Sequence, residues 1–235
     1  MLHTPSVGAI IVAAGSSRRM AGVDKLWIDL GGAPLLARTI EAIAAVPGLA
    51  QLVVVGAADT LRRVSALAHL PPWSGVQRWV AGGPTRQDSV YCGLQALDPC
   101  DLVLIHDGAR PLITRPVIER GIAAALAHGA VIAATPVTDT IKAVDAQDAI
   151  TATLDRGTLR AAQTPQIFAH DLLRAAYERV GPARAACTDD AGIVERAGVT
   201  VYTFSGEATN LKVSTPADVA IVRALWAIGR EGTPA

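Results

Sequence analysis

Short runs rich in valine, isoleucine and alanine recur at 7–15, 49–56, 76–83, 101–108 and 130–137, and none alternates strictly between apolar and polar positions. A strand covered on both faces needs apolar residues on both sides, so these runs are predicted to be strands of a mainly parallel sheet. Between them, apolar residues return every three or four positions at 35–46, 60–70, 86–97 and 116–129, the spacing of one helix face. Strands and helices alternating in this way predict an α/β fold with a doubly wound, mainly parallel Rossmann-like sheet. Ligands of such sheets lie beyond the carboxyl ends of the strands, so 13–25, 81–89, 106–110 and 135–140 are predicted to converge.

The rhythm breaks after Val137. Residues 138–168 carry β-forming residues around Asp145–Asp148 and no helical stripe, and they read as a hairpin arm projecting from the sheet. An arm of this kind packs on something, and a second copy of the chain is the economical partner, so a homodimer through 138–168 is expected. Helices at 169–180, 188–197 and 215–228, with a strand at 199–205, complete a single predicted domain over 1–235, with a frayed tail after Gly229.

Composition narrows the class. A hydrophobic fraction of 51% with 18% charged residues describes a globular chain, and no apolar run approaches the roughly 20 residues that span a bilayer. The start, MLHTPS, lacks the basic and apolar regions of a secretory signal, so a cytoplasmic location is expected. Cys92, Cys100 and Cys187 are odd in number and have no CxxC spacing, which points to packing roles. Twenty-one basic and 21 acidic residues cancel, leaving no single-sign field for nucleic acid or an anionic membrane. Any anionic ligand must then be small and locally gripped. Of the 21 basic residues only Lys25, Lys142 and Lys212 are lysines, so each is a candidate for a site that needs a compact ammonium.

The local grip is legible at the first strand. It ends in Ala13-Ala14-Gly15 and turns through Ser16 and Ser17, small residues that let backbone amides approach a phosphate chain, with Arg18, Arg19 and Lys25 supplying charge. An ordinary strand-to-helix turn with surface arginines is the bland alternative. The spacing matches neither GxxxxGK[ST] nor GxGxxG, which sets aside the P-loop and dinucleotide readings.

Further blocks follow in order: GGAPLL (31–36), GG…DSV (82–90), HDGARP (106–111), PVTDTIK (136–142), QTPQ (163–166), TDDA (188–191) and NLKVSTPADV (210–219). Together with AAGSSRRM (13–20), they resemble the 2-C-methyl-D-erythritol 4-phosphate cytidylyltransferase family over nearly the whole chain. The resemblance implies a nucleotidyltransferase (GT-A-like) sheet and an enzyme that joins CTP to 2-C-methyl-D-erythritol 4-phosphate. It would release pyrophosphate, with Mg²⁺ as cofactor, in non-mevalonate isoprenoid biosynthesis. It implies catalytic roles for Arg19, Lys25 and Lys212, and nucleotide contacts from Ala13, Ala14, Gly15, Ser16, Ser17, Gly82, Gly83 and Ser89. Substrate contacts fall to Thr140, Arg156 and Thr188, with Arg156 reaching the other subunit from the arm.

Physical chemistry supports part of this independently. A phosphate attacking the α-phosphate of CTP brings two anions together, so fixed cations must face the charge that builds up. No general base is needed, because the attacking phosphate is already ionised. Asp107 closes a predicted strand at the crevice and is the metal candidate, the alternative being a simple pair with Arg110. His106, flanked by apolar residues, reads as a core histidine rather than a base. Ser17 stands where the family commonly has glycine, and Asp24 brings a carboxylate beside Lys25. Ribitol phosphate as the acceptor, a guanylyltransferase of the same fold and a non-catalytic nucleotide-binding module remain as rival readings.

Overall fold

The computed structural model describes residues 4–15, 24–46 and 48–231. Seven strands form one sheet: β1 (Val7–Ala13), β2 (Leu49–Gly56), β3 (Arg78–Ala81), β4 (Leu102–Asp107), β5 (Ala130–Pro136), β8 (Arg160–Ala169) and β9 (Tyr202–Ser205). Their order is β3-β2-β1-β4-β8-β5-β9, and β6 (Lys142–Val144) with β7 (Ile150–Thr153) makes a separate two-stranded ribbon. β1 pairs in parallel with both β2 and β4, with Val12 level with Val55 on one side and Asp107 on the other. The chain winds outward in opposite directions from that pair. The reversal opens a crevice at the carboxyl ends of β1 and β4, where an α/β sheet binds its ligand.

Apolar residues on both sides of these strands feed two cores. Ile11, Leu104 and Ile167 point to one face, where α1 (Leu35–Ala44) contributes Leu36 and Ile40 and α4 (Arg115–His128) contributes Val117 and Ile118. Ile10, Ile105 and Phe168 point to the other, against Val90 of α3 (Arg86–Ala96), Leu173 of α5 (His170–Val180) and Ile193 of α6 (Asp190–Arg196). Burying such a side chain stabilises the fold by about 1.5–3 kcal/mol, so the strands without alternation are those the two layers hold most firmly. α2 (Ala58–Ser65) adds Val64 to the first core and is shorter than the predicted 60–70. α7 (Pro216–Glu231) places Val222 with Leu30, Leu35 and Val213 in a third, smaller cluster.

The stretch 138–168 divides where the sequence predicted one arm. Only β6 and β7 stand apart as a hairpin. β8 returns into the main sheet, antiparallel to β4 and β5, with Ile105 opposite Gln166 and Val131 opposite Ile167. Gln166, Ile167 and Phe168, expected in the arm because 138–168 shows no helical stripe, are buried there. α7 continues to Glu231, past the predicted end at 228, and the rest of the tail lies outside the described residues.

Candidate functional site

β1 delivers Ala13, Ala14 and Gly15 to the rim of a cleft of about 510 Å³, with Gly83, Thr85 and Ser89 opposite. The approach is close. A methyl group on Gly82 would stand 2.3 Å from Ala14 Cβ, and one on Gly83 would stand 2.4 Å from Asp88 Cβ. Neither position has room for a side chain, so backbone forms that wall. Thr85 caps α3 by accepting from the Asp88 N–H at 3.0 Å, and Ser89 Oγ accepts from the Gly83 N–H at 3.2 Å while donating to Thr85 O at 2.9 Å. Two sequence signals therefore serve the same loop: the Gly-Gly pair permits the turn, and Thr85 with Ser89 fixes it. Ser16, Ser17 and Arg19 lie outside the described residues.

Lys25 begins a 3-10 turn, Lys25–Trp27, and Asp24 is its N-cap, with the carboxylate accepting from the Leu26 N–H at 3.1 Å. That is the physical use of the carboxylate beside the lysine. Lys25 Nζ donates to Val213 O at 2.9 Å, joining this turn to the segment that carries Lys212. Lys212 Nζ in turn stands 2.9 Å from Asp107 Oδ2. Two lysines from opposite ends of the chain thus face one cleft, which both of them line.

Asp107 is the anionic centre of this cluster. Arg86 Nε lies 3.3 Å from Oδ1 and Arg110 Nε 3.4 Å from Oδ2, in addition to Lys212, and the side chain is only 8% exposed. Burial pushes its carboxyl up, but Arg86, Lys212 and Arg110 outweigh this and hold it well below the usual carboxylate range. Both oxygens meet cations of this chain, and the ionised carboxylate lines the cleft. One carboxylate together with phosphate oxygens is the usual way Mg²⁺ is held. The alternative pairing with Arg110 is present, and Arg86 and Lys212 join it.

Arg86 was not singled out from the sequence, yet it is the hub. It bridges Asp107 to Asp190, whose Oδ2 it meets at 2.8 Å, while Tyr177 donates its hydroxyl to Asp190 Oδ1 at 2.6 Å. Asp190 is fully buried, and Gln166 Oε1 accepts from both the Asp190 and the Ala191 N–H at 3.1 Å. The sequence hint was the pair of ordered motifs around these residues, TDDA and the arginine of GGPTR, but only the fold shows that they touch. Behind Asp107 lies a second pocket of about 230 Å³, lined by Arg110, Gln163, Thr164 and Thr188. Arg86, Asp107 and Lys212 line both cavities and so stand at their junction. Four cations, Lys25, Arg86, Arg110 and Lys212, line the two cavities against two carboxylates, Asp107 and Asp189, with a third, Asp190, buried behind Arg86. The excess of positive charge suits a polyanion in the cleft and a second anion in the pocket.

Of the predicted substrate contacts, only Thr188 lines that pocket. Thr140 and Arg156 are exposed on the arm side of the chain, where Arg156 begins a short 3-10 turn and donates to Thr138 O at 2.5 Å. Neither lines the cleft or the pocket of its own chain.

His106 is a satisfied core histidine. Thr164 Oγ1 accepts from the Asp107 N–H at 3.0 Å, so its own proton goes to His106 Nδ1 at 3.1 Å, and the ring N–H at Nε2 donates to Arg110 O at 3.1 Å. Burial pushes the imidazole pKa down from 6.5 to about 4. Between those values the unfolded chain binds a proton that the folded chain excludes. This stabilisation is complete above pH 6.5 and is lost as the pH falls toward 4, at up to ~1.4 kcal/mol per pH unit. Asp107 acts in a lower window, its contribution fading only as the pH drops beneath the ordinary carboxylate value of 3.8. Urea unfolding of His106→Asn across pH 4 to 6.5 is expected to show a flattened pH dependence. An unchanged slope would remove His106 as its source.

The family model of 2-C-methyl-D-erythritol 4-phosphate cytidylyltransferase matches residues 7–227 of this chain. A protein of that description from Dehalococcoides mccartyi (strain CBDB1) is 41% identical over 230 residues, 98% of this chain and 100% of the relative. The crystal structure of 4-diphosphocytidyl-2C-methyl-D-erythritol synthase from Anaerococcus prevotii superposes with a TM-score of 0.83 at 31% identity, covering 95% of this chain and 99% of that one. The 2-C-methyl-D-erythritol 4-phosphate cytidylyltransferase of Thermus thermophilus gives a TM-score of 0.76 at 32% identity, over 94% and 98% of the two chains.

Proposed function

Because the chain belongs to the 2-C-methyl-D-erythritol 4-phosphate cytidylyltransferase family, we infer that it transfers the cytidylyl group of CTP to 2-C-methyl-D-erythritol 4-phosphate. A phosphate oxygen of the acceptor forms a bond to the α-phosphorus of CTP. The bond from that phosphorus to the bridging oxygen breaks, and pyrophosphate leaves with the electron pair. The products are 4-diphosphocytidyl-2-C-methyl-D-erythritol and pyrophosphate, a step of non-mevalonate isoprenoid biosynthesis. The observation that carries the reading is the junction of two cavities at Arg86, Asp107 and Lys212.

CTP occupies the larger cleft. Its triphosphate lies along Ala13, Ala14, Gly15, Ser16 and Ser17, and its base lies against Gly82, Gly83 and Ser89, where backbone and a small hydroxyl leave space for a flat ring. The acceptor phosphate enters the smaller pocket beside Arg110 and Thr188, so the attacking oxygen and the α-phosphate meet next to Lys212. Lys25 and, by the family resemblance, Arg19 neutralise the charge of the leaving pyrophosphate. Fixed cations at these points stabilise charge that is greatest in the transition state. Mg²⁺ would be held by Asp107 together with phosphate oxygens of CTP, and would offset the charge on those phosphates. A cytoplasmic location belongs to the same reading, since CTP is drawn from the cytosolic nucleotide pool.

The arm completes the site in a homodimer. Val144 and Ile150 are more than half exposed on the hairpin, an apolar surface that a second copy would cover. Arg156 and Thr140, which line no cavity of their own chain, then meet the acceptor bound by the partner. Arg156→Ala is expected to raise KM for the acceptor about tenfold or more, as loss of a charge-assisted contact does. KM for CTP should change little. Unchanged acceptor affinity, or full activity from a sedimenting monomer, would remove the cross-subunit role. The reaction itself is tested by pyrophosphate release from CTP with either methylerythritol phosphate or ribitol phosphate. Turnover with methylerythritol phosphate is expected, and turnover with ribitol phosphate alone would overturn the acceptor assignment.

A further inference from the structure

A ring of hydrogen bonds runs beneath the catalytic junction, joining residues that lie far apart in sequence. Thr164 of β8 receives the Asp107 N–H at 3.0 Å and meets His106 Nδ1 at 3.1 Å. The far side of the imidazole meets Arg110 O at 3.1 Å, and Arg110 Nη1 donates to Asn210 O at 2.7 Å. Asn210 Nδ2 closes the loop by donating to Thr164 O at 2.7 Å, with a second contact to Gln163 Oε1 at 3.3 Å. Three separate segments are tied here: the end of β4 with its loop, the middle of β8 and the connection from β9 to α7.

What the ring holds is the charge geometry above it. Asn210 stands two residues before Lys212, and Val213, the next residue, donates its N–H to Ala109 O at 2.9 Å. Thr164 fixes the backbone of Asp107. The lysine and the carboxylate meeting at 2.9 Å are thus set by one closed network. His106 and Asn210 are wholly buried and Thr164 nearly so, so water does not substitute for a lost partner. Among the described residues, Asn210 Oδ1 is buried without a hydrogen-bond partner. The side chain is therefore held by its donor end, since two oxygens face Nδ2 and turning the amide over would set Oδ1 against them.

We propose that Thr164 and Asn210 are positioning residues for cytidylyl transfer, fixing Lys212 and Arg110 relative to Asp107 so that the cations face the α-phosphate where charge develops. Asn210 lines neither cavity, and the hydroxyl of Thr164, which lines the smaller pocket, is occupied by the Asp107 N–H and His106 Nδ1. The two residues act through Asp107, Arg110 and Lys212, and the inference rests on the transfer reaction proposed above.

The test compares Thr164→Val, Thr164→Ser and Asn210→Asp with the unaltered chain by steady-state pyrophosphate release from CTP and methylerythritol phosphate, with melting temperatures alongside. No turnover by the unaltered chain would sink the reaction and this inference together. With turnover established, each variant is read only against that parent. Valine keeps the shape but strands the Asp107 N–H and His106 Nδ1, and a misplacement of the cations should lower kcat by about 10- to 100-fold. KM for CTP should stay within about threefold, because the base and the glycine turn are untouched. Serine restores the hydroxyl and should recover kcat to within about threefold of the parent. Asn210→Asp sets oxygen against Thr164 O and should repeat the fall in kcat, which keeps the test readable if the valine variant does not fold. Parent-like kcat in the valine and aspartate variants would overturn the proposal. So would a serine variant as impaired as valine, or losses that appear only in KM.

Discussion

Replacing Lys212 by methionine is expected to lower kcat by about 10²- to 10³-fold, the loss of ~2.7–4 kcal/mol found when a preorganised charge is taken from a transition state. The ammonium stands at the junction of both cavities, 2.9 Å from Asp107 and 39% exposed toward the cleft. Asp107 keeps Arg86 and Arg110 when the lysine is gone, so folding stability should change little while turnover collapses. KM for CTP should rise less than kcat falls, because interactions stronger in the transition state than in the ground state appear in kcat. Arginine at this position should recover only part of the rate. Its planar fork spreads the charge that lysine presents at a point. Steady-state pyrophosphate release measures this, and a kcat within about threefold of the parent would remove Lys212 from the catalytic set.

The second large effect is on stability. Arg86→Met leaves Asp107 with two of its three cations and the fully buried Asp190 with none. Removing one partner of a buried ion pair costs about 3–5 kcal/mol, because the stranded carboxylate keeps its desolvation penalty without compensation. Burial alone would favour losing the proton from Arg86, but Asp190 and Asp107 raise its affinity far above the ordinary value, so the guanidinium stays charged in the fold. Tyr177 remains on Asp190 and cannot replace the charge. Urea denaturation should register the loss as a lower midpoint with an unchanged slope. Arg86→Lys should restore part of it, since an ammonium cannot span two carboxylates as the fork does. Stability within about 1 kcal/mol of the parent would show that the bridge does not hold the crevice together.

These two residues also mark how far reading the chain could go. Lys212 was legible because lysine is rare here and because it lies in a block that matches the family. Arg86 was one arginine among 18, and nothing in its neighbours said that it would bridge residues 21 and 104 positions away. The strands of the sheet were legible from apolar residues on both faces, and the crevice followed from their winding. Gly82 and Gly83 were picked out by the family resemblance, and the fold gives a reason for them, since an added methyl group would stand 2.3 Å and 2.4 Å from its neighbours. β8 was not legible as a core strand. Its place between β4 and β5 depends on antiparallel partners drawn from distant segments, and Gln166 is buried there only because Asp189 and the α6 N–H groups satisfy its amide.

The order of apolar and polar residues was enough for the layered sheet, the glycine turns and the identity of most charged groups, because these follow from local periodicity and from the chemistry of single side chains. The state of those groups needed the folded chain. Asp107 read as a metal candidate or a partner of Arg110, and the folded chain sets three cations around it, while the carboxylate of Asp24 beside Lys25 caps a turn. Whether a carboxylate binds a metal, pairs with arginine or caps a helix depends on which donors lie within about 3 Å of it. Those donors come from segments that the chain order keeps far apart.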